Sequence, residues 1–305
     1  MGLAFQRRGV GPPLVVVHGI GHRRQAWGAV LDWLATQRDV ILPDLPGHGE
    51  SPPLVTSGRS VAQALLDEIF GLLDELGLDR PNVAGNSLGG LIALEMAARG
   101  RAASVTALAP AGFWTSTGQL RYAIAVNKVM RKAGRLIEPL GPALSRSTAG
   151  RALLYSLLVT RPSRMTAEQA SGDIAGFLAA TDAMDEILGA AAPFTGSIPD
   201  GVPVTIAWGT RDRLLFPRQA LLAKARLPQA NVIMLPRCGH LPMTDDPRLV
   251  AEVLLRGSKT VAPAVLRAHD GGQPRAARLI RLATVPPADQ NLFCEELSAA
   301  ASSSG

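Results

Sequence analysis

The stretch Pro81 to Ala98, PNVAGNSLGGLIALEMAA, sets a short apolar run, a glycine-flanked serine and a helical pattern end to end with no spacer. It reads as a strand, a sharp turn carrying Ser87, and a helix. Gly85-Asn86-Ser87-Leu88-Gly89 fits the pattern G-x-S-x-G, and a turn this tight leaves no room for a Cβ at either glycine. Such a turn lifts the Ser87 hydroxyl above the strand ends and aims the first free N–H groups of the helix at whatever binds there. Ser87 is the candidate nucleophile.

Outward from this turn, strand and helix patterns alternate. Upstream lie a short strand within Leu3 to Val10, the β-branched run Leu14 to Val17, a helix through Trp27, Val30, Leu31 and Leu34, a strand at Asp39 to Leu42, and a helix from Ser60 to about Leu76. Downstream come strands at Ser104 to Ala109, Val202 to Trp208 and Val232 to Leu235, with helices at Pro217 to Arg226 and Pro247 to Leu255. The alternation predicts an α/β fold: a mostly parallel sheet with helices on both faces and its ligand site at the carboxyl ends of the strands. Residues 1–112 and 198–256 form the expected core. Between Phe113 and Ser197 no strand pattern occurs, so residues 113–197 are expected as an inserted helical cap. Residues 257–305, rich in Gly, Pro, Ala, Ser and Arg, read as a partly disordered tail with one helical pattern around Arg275 to Leu282.

A serine hydroxyl needs a base within reach, and an imidazole oriented by a carboxylate supplies one. His240, in RCGHLP, follows the last strand, and Asp212, in WGTRD, follows the strand before it. Both project from the edge that carries Ser87. Asp44 and Asp182 are the rival acids. The Leu88 N–H and an N–H from the loop after His18-Gly19, taken as that of Ile20, are the expected oxyanion donors. His18 and His48 are read as loop scaffolding. His22, Phe113 and Trp114 are candidate pocket residues, Trp27 falls near the same site, and Cys238 is a small apolar filler.

VVVHGIG, DLPGHGES, GNSLGG, WGTRDRLLFP and CGHLPMTDDP stand in one order along the chain. In these motifs, across residues 10 to 115 and 200 to 256, the sequence resembles the α/β-hydrolase family, in its serine-nucleophile, esterase- and lipase-like branch. The resemblance implies a triad of Ser87, Asp212 and His240, an oxyanion hole from Ile20 and Leu88, and a cap between Phe113 and Ser197. A single short strand before Leu14 means the antiparallel start of the sheet is trimmed. The expected activity is hydrolysis of a small, apolar carboxylic ester through an acyl-enzyme, with no cofactor and no metal. The alternatives are a carbon–carbon bond hydrolase of aromatic breakdown, in which a tryptophan would follow the histidine where Leu241 stands, a cofactor-free perhydrolase or acyltransferase, and a non-catalytic binding or membrane-recruited protein on the same fold.

The chain has 305 residues, two cysteines and a net charge of +6. Two cysteines are too few for a disulfide framework, and no apolar run is long enough to span a bilayer, so a cytoplasmic protein is expected. Between Gln119 and Met165 nine basic residues face one acid, so this window carries +8 and the rest of the chain −2. A local basic face, with few aromatics and no nucleic-acid module, does not suggest a nucleic-acid partner. On a helical wheel from Arg121 to Leu140, Tyr122, Val126, Val129, Met130, Ala133, Leu136, Ile137 and Leu140 gather on one side, opposite Arg121, Lys128, Arg131, Lys132 and Arg135. The plain expectation is a helix packing its apolar side on the core. The sharper one is peripheral contact with an anionic membrane. Oligomeric state is not legible.

Overall fold

The computed structural model describes residues 2–258 and the backbone of Ile280–Arg281. Its single sheet runs in the order β1 (Phe5–Arg8), β3 (Asp39–Pro43), β2 (Pro13–Val17), β4 (Asn82–Asn86), β5 (Ser104–Leu108), β6 (Val204–Gly209), β7 (Asn231–Leu235) and β8 (Ile280–Arg281). β2 to β7 are mutually parallel, whereas β1 and β8 pair antiparallel at the two edges. The two residues of β8 are extended, which corrects the helix expected around Arg275 to Leu282. The rest of that tail lies outside the described residues.

β4, β5 and β6 are buried at every position, as runs covered on both faces must be. Alternate side chains feed two cores. Val15, Val17, Val83, Ile206 and Trp208 pack with α2 (Val61–Glu75) and α3 (Leu88–Ala98). Leu14, Val16, Ala84 and Ala207 pack with α1 (Gly28–Leu34) and α11 (Pro247–Gly257). The second core also takes in Trp27, fully buried, so that ring belongs to the packing and not to the pocket. Helix starts follow side-chain chemistry: Ser60 Oγ accepts from Gln63 N at 3.2 Å, and Asp246 Oδ1 from Leu249 N at 3.2 Å.

Between β5 and β6 every element is helical: α4 (Thr117–Ile137), α5 (Gly141–Arg146), α6 (Thr148–Tyr155), α7 (Ala167–Ala179) and α8 (Thr181–Gly189). The short α9 (Gln219–Arg226) follows β6, and α10 (Pro242–Asp245) precedes α11. α4 corrects the wheel-based expectation in part: Val126 packs on the first core and Met130 and Ile137 are half-buried, but the most buried positions are others. Its buried stripe is Gln119, Ala123, Asn127 and Arg131, while Val129, Leu136 and Leu140 are 66%, 75% and 59% exposed. The reason is polar: Arg131 donates to Asp185 Oδ1 of α8 at 2.6 Å and to Thr181 O at 3.1 Å, which draws the guanidinium inward. Arg121, Lys128, Lys132 and Arg135 stay exposed, so apolar and basic side chains share the outer surface.

Candidate active site

Ser87 is the junction residue between β4 and α3, with φ +55° and ψ −115°, a conformation a non-glycine residue holds only where its surroundings enforce it. The enforcement is backbone packing. A Cβ on Gly85 would collide with the carbonyl of Gly89, and one on Gly89 with the carbonyl of Val17. The Ser87 N–H donates to Leu108 O at 2.9 Å, and its carbonyl accepts from Leu91 N and Ala111 N, each at 3.0 Å. The backbone is therefore fixed from three elements while the hydroxyl lines the main cavity.

Asp212 and His240 come together as expected. His240 Nδ1 lies 2.8 Å from Asp212 Oδ2, with both side chains buried. Asp212 Oδ1 accepts from Leu214 N and Leu215 N, each at 2.9 Å, so the carboxylate is clamped by its own loop. Engagement of Nδ1 leaves Nε2 as the nitrogen available to the cavity, which Ser87 and His240 both line. No hydrogen bond joins Ser87 to His240 among the described residues.

The rival acids are committed elsewhere or exposed. Buried Asp44 accepts from Arg24 N at 2.6 Å and Glu50 N at 3.0 Å and pairs with the Arg24 guanidinium. Asp182 is exposed on α8.

The loop opposite the serine is held by two neutral imidazoles. His18 Nδ1 bonds Gly19 O at 2.8 Å and Nε2 accepts from Leu45 N at 2.9 Å. His48 Nδ1 bonds Pro46 O at 2.9 Å and Nε2 accepts from Gly21 N at 3.0 Å. Burial, the largest influence on each, pushes both rings below the ordinary histidine range. Between these tethers, Ile20 borders the cavity, as does Leu88, whose N–H opens α3 and has no intrahelical acceptor.

The cavity measures about 620 Å³ and is bordered mostly by apolar side chains from α4, α6 and α7. His22 and Trp114 line it. Phe113 does not: it is 1% exposed and packs on Phe194 with ring centroids 5.8 Å apart, a correction caused by its place under the first core. Three polar residues escaped the sequence reading. Asn86 Nδ2 donates to Leu108 O at 3.2 Å and His240 O at 3.0 Å. Asp245, fully buried, accepts from Gly239 N at 2.7 Å and Arg161 N at 2.7 Å. Asp173 sits in the cavity wall at 7% exposure. Asn86 is adjacent to the serine and Asp245 stands within a quoted motif, but neither position by itself reveals the distant acceptor or donor.

A mostly parallel sheet whose strand order reverses beside a strand–serine–helix turn, with an aspartate-bound histidine lining the same cavity as the serine, matches the α/β-hydrolase fold. The chain belongs to the alpha/beta hydrolase family, whose profile matches residues 14–253. It is 28% identical over 289 residues to an uncharacterised protein of Mycobacterium tuberculosis, covering 86% of this chain and 79% of that one. It is 28% identical over 251 residues to Lipase 3 of Moraxella sp., covering 77% and 73% of the two chains. Among solved structures, a membrane phospholipase A described as a bacterial virulence factor superposes with a TM-score of 0.66 at 22% identity, covering 84% of this chain and 83% of that one.

Proposed function

We propose that this hydrolase cleaves carboxylic esters through an acyl-enzyme on Ser87. The observation that carries the reading is the 2.8 Å contact between His240 Nδ1 and Asp212 Oδ2, with the histidine lining a cavity shared with a serine on a strained turn. Ser87 Oγ adds to the ester carbonyl carbon while His240 Nε2 takes the hydroxyl proton, and Asp212 stabilises the imidazolium. The negative charge that develops on the carbonyl oxygen is met by the Ile20 and Leu88 N–H groups. Collapse returns the proton from His240 to the departing alcohol and leaves Ser87 acylated. Water then adds, gives its proton to His240, and the acid departs as Oγ regains that proton. Closing of the Ser87–His240 hydrogen bond accompanies substrate binding, as in many hydrolytic sites that are loose when empty. The apolar lining favours an apolar acyl or alcohol portion. Turnover of short p-nitrophenyl esters tests the reading: Ser87→Ala should fall by about 10⁴-fold or more, and activity equal to the parent would overturn it.

Peripheral contact with an anionic membrane belongs to the same proposal. Val129 and Leu153, 66% and 73% exposed, both border the cavity, so its apolar lining continues onto the outer surface. Next to Val129 in the chain, Lys128 joins Lys132, Arg135 and the Arg131–Asp185 ion pair in lining a second concavity of about 360 Å³, which keeps a surplus of positive charge. Exposed hydrocarbon next to clustered positive charge suits the interface of an anionic bilayer, from which an acyl chain could enter directly.

A further inference from the structure

The cavity that would receive the ester is not uniformly apolar. Asp173 projects from α7 into its wall, and Oδ1 has no hydrogen-bond partner among the described residues. His22 Nδ1, on the loop that carries Ile20, is likewise buried with no partner. Arg23 Nη2 stands 3.9 Å from Asp173 Oδ1, and the guanidinium lies over Gly172, where a Cβ would collide with it. Tyr155 Oη borders the same region but is committed as a donor to Ala170 O. Unsatisfied buried polar groups cost about 1–3 kcal/mol each, and besides these two the same cavity is lined by Asn86 and Trp114, whose Oδ1 and Nε1 are also buried without partners, so its wall calls for a ligand or water that completes them.

We propose that Asp173 and His22 form a recognition point for a neutral hydroxyl group on the substrate. This inference rests on the ester-hydrolase reading and narrows it to hydroxyl-bearing esters, such as those of a polyol alcohol. A hydroxyl can donate to the Asp173 carboxylate and accept from or donate to His22, depending on the ring tautomer. Arg23 already offsets the carboxylate charge, so a neutral donor suits the point better than a second cation. Burial pushes His22 down and Asp173 up, which agrees with a poorly solvated pair lacking partners. Leu154, Leu158, Ile174 and Phe177 line the same cavity, so an entirely apolar ligand would leave both polar groups without a partner. Sites built to bond a hydroxyl discriminate strongly against the deoxy analogue for this reason.

Binding of two non-hydrolysable ethers, measured by calorimetry, tests the proposal: 1-O-hexylglycerol and hexyl propyl ether, which differ only in two hydroxyls. The intact protein should bind the glycerol ether about 10- to 100-fold more tightly, and Asp173→Leu should bring that ratio close to one. Equal affinities in the intact protein, or a ratio unchanged by Asp173→Leu, would overturn it. The ratio in the intact protein decides the matter even if the leucine variant does not fold. Fluorophosphonate labelling of the same preparation reads the hydrolytic reaction separately. A protein that labels but binds both ethers equally keeps the chemistry and loses the recognition point. One that discriminates without labelling keeps the recognition point alone.

Discussion

Asn86 ties the turn to the histidine loop: one amide group donates to Leu108 O on β5 and to His240 O. Asn86→Asp would set a carboxylate against two carbonyls, and we expect a loss of about 2–4 kcal/mol in urea unfolding. An unchanged unfolding midpoint would show that the amide does not brace the site. Gly89→Ala forces a Cβ onto the carbonyl of Val17 and should abolish soluble expression or cost more than about 3 kcal/mol. A folded, equally stable alanine variant would refute the packing account of the turn. Gly85 was legible in the sequence because its constraint is local, set by the carbonyl of Gly89 four residues on, whereas Gly89 was legible only through the motif, since the carbonyl it meets belongs to Val17 on another strand. Asn86 was not, since its acceptors lie 22 and 154 residues away and only the sheet brings them near.

At the scale of elements, the loops after the strands are braced by buried neutral groups, and pH should expose this. His18, His22 and His48 are pushed below their ordinary values chiefly by burial. The unfolded chain therefore takes up protons that the folded chain resists, so stability is fully present above about pH 6.5 and is lost as pH falls below it. We expect the melting temperature to drop by about 5 °C or more between pH 7.5 and 5.0, with a smaller drop in His48→Gln. A flat profile would contradict the assignment. Asp245 joins Gly239, in the histidine loop, to Thr160 and Arg161 in the helical stretch between β5 and β6. That bond crosses some eighty residues, and the sequence around Thr160 carries no sign of it. The outer face of α4 was misread for a similar reason: the wheel counted Arg131 as water-facing because its partner, Asp185, sits on another helix.

For the molecule as a whole, the order of strands does most of the positioning. The chain runs from β2 outward to β3 and returns to β4 on the other side of β2, so Ile20 and Ser87 flank the reversal where a crevice must open. The alternating patterns implied a parallel sheet with its site at the strand ends, but not this order of strands. Nor did they imply what the cavity holds, because helical insertions reveal their contacts only when folded. No helix among the described residues is long and apolar enough to cross a membrane. Co-sedimentation with phosphatidylglycerol vesicles should weaken with salt and with the combined change Lys128→Glu, Lys132→Glu, Arg135→Glu. Binding indifferent to lipid charge, or none at all, would overturn the proposed membrane contact. The central claim, that the turn, the histidine and the aspartate act as one nucleophilic unit, is tested most directly by mass spectrometry after fluorophosphonate treatment. The account predicts one adduct, on Ser87, greatly slowed in His240→Gln. An adduct on another residue, or full labelling without the imidazole, would contradict it.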